Sequence, residues 1–282
     1  MELDLRKGIT ETEQYKAWKF PGGEVHFKFK NSYYDCNEFN IITRINNSDD
    51  FMLMLIAIDT IKKDVINPII RLTLPYMPYQ QADRNFGQLE CFSLKTVTDI
   101  INSLNLAKVN IYDPHSDVCV GLIDRCVAID NSGFIECVLQ DIILENSASP
   151  IDMNPKESDI AIISTDSGSY KKISKLCDKL NFKGEIITCS KSRNHETGEI
   201  TTIVPKFDET KIALIIDDIA LGSRTFFNIR KELKNKYVYL AVSHGIFNEN
   251  VDKLETEFTK VYTTNSRRDE SVGKNIKVIE IF

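Results

Sequence analysis

The stretch Lys211–Thr225, KIALIIDDIALGSRT, decides the fold. Its continuous apolar run, Ile212–Ile216, reads as a buried parallel strand, because a strand covered on both faces carries no polar side. The run ends in Asp217-Asp218. Small and polar residues follow (Ala220, Gly222, Ser223, Thr225), and then a helical segment over Phe226–Leu233. Open α/β sheets bind ligands beyond the carboxyl ends of their strands. The amides of a loop opening a helix suit a phosphate, and paired carboxylates suit ribose hydroxyls or a hydrated Mg²⁺. The competing reading is a strand-to-helix turn with Asp as its cap.

Outward from this stretch, strands and helices alternate. Phe51–Lys62 is too long for a strand and reads as a buried helix. A strand is expected within Pro68–Pro75, and a helix over Phe92–Leu104. Lys108–Tyr112 reads as a short strand ahead of Asp113-Pro114-His115, and Val127–Ile129 and Ile135–Val138 read as further strands. The polar, Pro-containing stretch Glu145–Ser158 marks a domain boundary, dividing residues 1–148 from 149–282. A second series follows: a strand at Asp159–Ser164, a helix at Tyr170–Leu180, a strand at Glu185–Thr188 and a long mobile loop at Ser190–Thr201. The Lys211 strand and its helix come next, then Tyr237–Val242 and a last strand near Asn275–Ile281. Two successive βαβα runs predict two doubly wound parallel-sheet α/β domains.

Bulk properties narrow the function. The chain has 282 residues, enough for about two domains. Hydrophobic residues make up 42% and charged residues 27%, as in water-soluble globular proteins. The net charge of −6, with no basic stripe, argues against a nucleic-acid partner. No apolar run approaches the roughly 20 residues of a membrane span, and the first residues lack a secretory h-region. The seven cysteines are scattered without a CxxC pair, which fits reduced cytosolic thiols rather than disulfides or a zinc site. Cys119, Cys126 and Cys137 lie in apolar surroundings and are expected in the core. There is no GxxxxGK[ST] and no GxGxxG after the first strand, so neither a P-loop nor a dinucleotide fingerprint supplies the nucleotide site.

Four polar clusters fall at strand ends. Asp113-Pro114-His115-Ser116-Asp117 sets a His between carboxylates, suited to a metal or a phosphate, although Ser116 and Asp117 also suit a helix cap. Ser164–Ser169 joins hydroxyls, Gly168 and Asp166, a metal ligand or else a cap. Lys191-Ser192-Arg193 puts two cations on the mobile loop, suited to a lid over a transferring phosphoryl group or else simply a solvated charged loop. Asp217-Asp218 with its loop is the fourth.

These clusters, in this order, resemble the ribose-phosphate pyrophosphokinases, the PRPP synthetase family. The family's Phe-Pro-x-Gly-Glu is present at Phe20–Glu24, and its ATP loop at Pro75–Arg84, PYMPYQQADR. Its metal motif is Asp113-Pro114-His115, its Ser-Pro-Asp-x-Gly-Gly reads Ser164–Ser169, and its flexible-loop Lys-x-Arg is Lys191–Arg193. The PRPP loop is Asp217–Thr225, and Thr-His-Gly-x-Phe reads Ser243–Phe247. The resemblance covers nearly the whole chain. It implies type I phosphoribosyltransferase-like domains, ATP as co-substrate with Mg²⁺, and homo-oligomers, dimer to hexamer, with sites at subunit interfaces. It implies transfer of the β,γ-diphosphate of ATP to the anomeric hydroxyl of ribose 5-phosphate. His115 and Asp166 would ligand the Mg²⁺, and Lys191 and Arg193 would stabilise the transferring group. Asp217 and Asp218 would hold ribose hydroxyls, with Gly222, Ser223, Arg224 and Thr225 around the 5-phosphate. Tyr79, Gln81, Asp83, Arg84 and His115 would bind ATP.

The chain also departs from the family. The ATP loop's Arg-Gln is Gln81-Ala82, and the basic stretch of regulated members reads Phe86-Gly87-Gln88-Leu89, so family-style control by phosphate and ADP is not expected. In the PRPP loop, Leu221 stands for an Asp and Arg224 for a common Gly. A related group of short enzymes, often phage-encoded, works in NAD salvage, and some pyrophosphorylate ADP-ribose. The same chemistry with ADP-ribose as acceptor is therefore the alternative, since Arg224 suits a diphosphate. Two other classes remain: a non-catalytic regulatory homologue, which typically lacks the loop and metal motifs kept here, and a phosphoribosyltransferase, which shares the PRPP loop but not the ATP loop.

Overall fold

The computed structural model describes residues 1–33, 35–85, 87–147, 156–193 and 200–282, with the side chains of 191–193, 200 and 201 outside that description. The chain divides into two compact units, Met1–Asp130 and Asn131–Phe282.

The first unit contains β1 (Glu2–Asp4), β2 (Tyr15–Lys19), β3 (Val25–Phe29), β4 (Glu38–Ile42), α1 (Ser48–Asp64) and β5 (Ile69–Leu74). It continues with α2 (Ser93–Ser103), β6 (Lys108–Tyr112), α3 (Asp117–Leu122) and β7 (Cys126–Ile129). Its sheet has the order β1-β4-β5-β6-β7, all pairs parallel, and β2 and β3 form an antiparallel hairpin. The helix α1 starts where Asn47 Oδ1 accepts from the amides of Asp49 (2.9 Å) and Asp50 (3.1 Å). Asp49 and Asp50 in its first turn and Lys62 and Lys63 in its last oppose the helix dipole. Its apolar face, Leu53, Met54, Ala57, Ile58 and Ile61, is fully buried in one core with Ile41, Leu72 and Ile111 of the sheet.

The second unit contains α4 (Ser132–Ser147), β8 (Ile160–Ser164), α5 (Ser167–Leu180), β9 (Glu185–Thr188), β10 (Ser190–Arg193) and β11 (Ile200–Ile203). It ends with β12 (Ile212–Ala220), α6 (Arg224–Glu232), β13 (Val238–Gly245), α7 (Val251–Glu257), β14 (Lys260–Thr264) and β15 (Ile276–Ile279). The six-stranded sheet has the order β15-β14-β13-β12-β8-β9, parallel throughout. Strand alternation splits its core into two layers. Ile160, Ile162, Leu214 and Tyr239 face α4 and α5, while Ala161, Ile163, Ile215 and Leu240 face Phe226, Phe227 and Ile229 of α6. Both faces are covered, which is why the strands read as unbroken apolar runs.

Four expectations change. Ile135–Val138 is helical: Phe134, Ile135, Val138, Leu139 and Ile142 recur at a helical spacing and form the buried stripe of α4. That stripe packs with β8 and β12, so α4 belongs to the second unit, and the division falls at Asp130 rather than at the polar stretch after Ser147. Residues 148–155 of that stretch lie outside the described residues. The segment expected as a loop holds an antiparallel pair, β10 with β11, in register Lys191↔Thr202 and Arg193↔Ile200. Finally, Cys119 is buried, but Cys126 is only partly buried and Cys137 is exposed, on the side of α4 away from its stripe. All seven cysteines are free thiols. Among the described residues no helix is long and apolar enough to cross a membrane.

Candidate active site

In the second unit the order of the strands reverses between β8 and β12: β9 lies outside β8 on one side, and β13 to β15 extend from β12 on the other. A crevice at the carboxyl ends of such a strand pair is where open α/β sheets hold ligands. Pairing of β12 with β8 stops at Ile216↔Ser164, whereas pairing with β13 runs on to Ala220↔Gly245. Asp217 and Asp218 therefore lie on a strand paired along one edge only, rather than beyond its end. Across the reversal, Thr165 Oγ1 donates to Asp217 Oδ2 at 3.0 Å, joining the second and fourth sequence clusters. Asp217 Oδ1 accepts from the Asp218 amide at 2.9 Å. Burial, and then the adjacent Asp218 carboxylate, push the Asp217 carboxyl well above the ordinary range.

Asp166 is the N-cap of α5, and its Oδ1 accepts from the amides of Gly168 and Ser169, both at 3.0 Å. Both cap bonds fall on one carboxylate oxygen. Ser169 Oγ sits 2.7 Å from Ser164 Oγ and donates to the Asp166 carbonyl at 2.9 Å, so the turn is closed by its own hydroxyls.

The turn after β12 ends at Ser223, which is left-handed (φ 59°, ψ 9°) and is the N-cap of α6 without a side-chain cap bond. Ser223 is only 5% exposed, and its Oγ has no partner among the described residues. A buried hydroxyl without a partner costs about 1–3 kcal/mol, so Ser223 is an expensive polar group in this turn. A Cβ built on Gly222 meets nothing within 4 Å, so that glycine leaves open space beside the turn. Arg224 is exposed at the first position of α6, and Thr225 is partly buried behind it. The loop after β13 fastens the turn, since the amides of Ile246 and Phe247 both donate to the Ala220 carbonyl at 3.0 Å. His244, fully buried at the end of β13, has Nδ1 2.9 Å from Ser266 Oγ.

The first unit builds its cluster between the ends of β5 and β6. Tyr79 has φ 60° and is 52% exposed, Gln80 is completely buried, and Gln81 is exposed again. Gln80 Oε1 accepts from the His115 amide at 3.0 Å. Asp83, 3% exposed, takes Ser116 Oγ on Oδ2 at 2.8 Å and Arg84 Nε on Oδ1 at 2.8 Å. The Arg84 guanidinium, ahead of Ser116, holds the Asp83 carboxyl below its usual value. Ser116, expected as a possible helix cap, is the N-cap residue of α3 but makes no side-chain cap bond; its hydroxyl is spent on Asp83. Sequence reasoning names Gln81 and passes over Gln80, because nothing in a loop sequence tells which of two adjacent glutamines turns inward.

Tyr79, Gln80, Asp83, Arg84, His115 and Ser116 thus gather in the first unit, and Thr165, Asp166, Asp217 and the turn to Thr225 in the second. The backbones of Lys191 and Arg193 are on β10, and their side chains lie outside the described residues. Among the described residues no three His, Cys, Asp or Glu side chains form a metal cage. A Mg²⁺ carried on nucleotide phosphates needs no such cage, because it keeps waters and phosphate oxygens and takes one or two protein donors. Taken singly, His115 in the first unit and Asp166 in the second each have the donor chemistry for that limited role.

Residues 6–104 match the model of the N-terminal domain of ribose phosphate pyrophosphokinase. The ribose-phosphate pyrophosphokinase of Thermosipho africanus is 24% identical to this chain, covering 96% of it and 84% of the relative. Ribose-phosphate pyrophosphokinase 1 of Candida albicans is 28% identical, covering 86% and 74%. A phosphoribosylpyrophosphate synthetase from Mycobacterium smegmatis has the same fold, with a TM-score of 0.79 at 20% identity over 100% of this chain and 94% of that one. Along almost its full length the chain is thus similar to ribose-phosphate pyrophosphokinases, and its first part matches the model of their N-terminal domain.

Proposed function

We propose that this protein is an ATP-dependent diphosphotransferase acting on ribose 5-phosphate. The anomeric oxygen attacks the β-phosphorus of ATP, the bond between the α- and β-phosphates breaks, and AMP, PRPP and a proton leave. The observation that carries this reading is the strand-turn-helix stretch Asp217–Thr225 at the reversal of the second sheet. It has two carboxylates for ribose hydroxyls, followed by the amino end of α6 with the Ser223 hydroxyl, unpartnered among the described residues, for a phosphate.

The other roles follow from the same reading. Tyr79, Gln81, Asp83 and Arg84 bind ATP with His115. His115 and Asp166 hold the Mg²⁺, which, when bound, neutralises charge on the phosphates. Lys191, a point charge, and Arg193, a planar fork, stabilise the transferring diphosphate. This chemistry asks for positioning and charge rather than a covalent intermediate, so these side chains suffice. The protein works as a homo-oligomer, from dimer to hexamer, in the cytosol; its mass in solution tests the first of these.

ADP-ribose is a second acceptor reading, favoured by Arg224. An exposed guanidinium at the first residue of α6 supplies a bidentate contact beyond the one phosphate that the turn amides can hold.

The test incubates the protein with ATP, Mg²⁺ and either acceptor, following AMP release and product mass. A diphosphate added to ribose 5-phosphate supports the main reading, and one added only to ADP-ribose supports the second. No AMP with either acceptor sinks both and leaves a non-catalytic homologue.

A further inference from the structure

Gln80 is absent from every role assigned above, yet it is the most deeply buried polar side chain of the ATP loop, with no exposure at all. The left-handed Tyr79 before it turns the chain so that residues 79 and 81 face out and residue 80 faces in. Its carboxamide is half used. Oε1 accepts from the His115 amide at 3.0 Å, while Nε2 is buried with no partner among the described residues. Flipping the amide would set Nε2 against the His115 N–H, two donors facing, so this orientation is forced. A methionine or leucine of the same volume would fill the space without an orphaned donor. The polar residue is costly to folding, and its one good bond ends on His115.

That bond lies at a sensitive place. Asp113 is left-handed (φ 41°) and its amide is tied to the Ile129 carbonyl at 2.8 Å. Pro114 has no N–H, so the His115 amide is the next donor along the turn. Ser116 is tied back to Asp83 of the same ATP loop. His115 is therefore bracketed by two tethers from one loop, on its own amide and on the next side chain.

We propose that Gln80 is a positioning residue of the nucleotide site: its buried carboxamide fixes the His115 backbone, and with it the imidazole, for Mg·ATP. The inference rests on the ATP-binding role of His115 proposed above. The experiment measures binding of Mg²⁺ and α,β-methylene-ATP by calorimetry to the full chain, and ribose 5-phosphate separately. Gln80→Met keeps the volume and removes the acceptor. It weakens the nucleotide about tenfold, the weight of one hydrogen bond, leaves ribose 5-phosphate unchanged, and does not lower the melting temperature. Gln80→Asn, one methylene shorter, weakens the nucleotide in the same direction and carries the test if Gln80→Met does not fold. A folded variant with wild-type nucleotide affinity overturns the proposal, and so does a parallel loss for both ligands. Wild-type protein that binds no nucleotide overturns the reading of the site itself, a result separate from any failure confined to the variants.

Discussion

The two strand-end clusters are built in different ways. In the second unit the candidate residues come in short continuous runs, Asp166–Ser169 and Asp217–Thr225, whose bonds are mostly local: Asp166 to Gly168 and Ser169, Asp217 to Asp218. In the first unit the ties join loops more than thirty positions apart, Gln80 to His115 and Asp83 to Ser116. A local cluster is set by backbone turns and helix starts, and it survives as long as its strand does. A tethered cluster depends on two loops meeting, and each tether can be cut without touching the sheet. The second unit should therefore lose chemistry or fold when damaged, and the first should lose affinity.

The largest effect expected of that contrast comes from the cations on β10. Lys191→Ala and Arg193→Ala should each cut turnover by about 10²- to 10³-fold with little change in KM, the size seen on removing one donor to a developing charge. Steady-state kinetics check this, and a pure KM effect would place these residues in substrate binding instead. Next is Gly245→Ala. An added Cβ would run into the Phe247 ring and come within 2.6 Å of Thr263 Oγ1, just where the loop fastens the turn after β12. Overpacking of this kind costs about 1–3 kcal/mol. Denaturant unfolding should show that loss, with a matching loss of ribose 5-phosphate affinity.

A paired comparison sharpens the contrast further. Asp166→Ala removes the cap of α5 and should cost about 1 kcal/mol of stability. Ser116→Ala frees one tether and should leave stability within about 0.5 kcal/mol while weakening Mg·ATP several-fold. If Ser116→Ala destabilises more than Asp166→Ala, the tethers are structural and the contrast fails.

The smallest effect is in pH dependence. The Asp217 carboxyl is raised in the folded protein above its ordinary value of 3.8, so the unfolded chain gives up its proton first. Its contribution to stability is complete below that value and declines as pH rises toward the folded one. Asp83 is lowered, so its contribution is present above the ordinary value and is lost only in acid. Melting temperatures from pH 4.5 to 8.5 should fall more steeply for wild type than for Asp217→Asn, while Asp83→Asn should leave the slope over that range unaltered.

The same contrast explains which parts of the molecule the sequence revealed. Ile212–Ile216 is legible as a doubly covered strand because burial on both faces removes every polar residue from it. The acidic pair and the helix after it are legible because local turn chemistry repeats in local sequence. The β2–β3 hairpin and β1 escaped notice, since half-exposed strands such as Tyr15–Lys19 mix Lys with aromatic residues. Ile135–Val138 misled because four residues, Ile-Glu-Cys-Val, are too few to separate the two periods, and only the continuation to Ile142 marks a helix rather than a strand.

By itself, then, the sequence determined the α/β alternation and the two parallel sheets, which follow from patterns within a dozen residues, and by resemblance to a family it pointed to the candidate residues from Asp113 to Thr225. Tertiary structure alone decided that the chain divides at Asp130, that Thr165 meets Asp217, and that Gln80 rather than Gln81 turns inward to hold His115. Those outcomes depend on which distant segments share a core or a hydrogen bond, and spacing along the chain carries no record of such meetings.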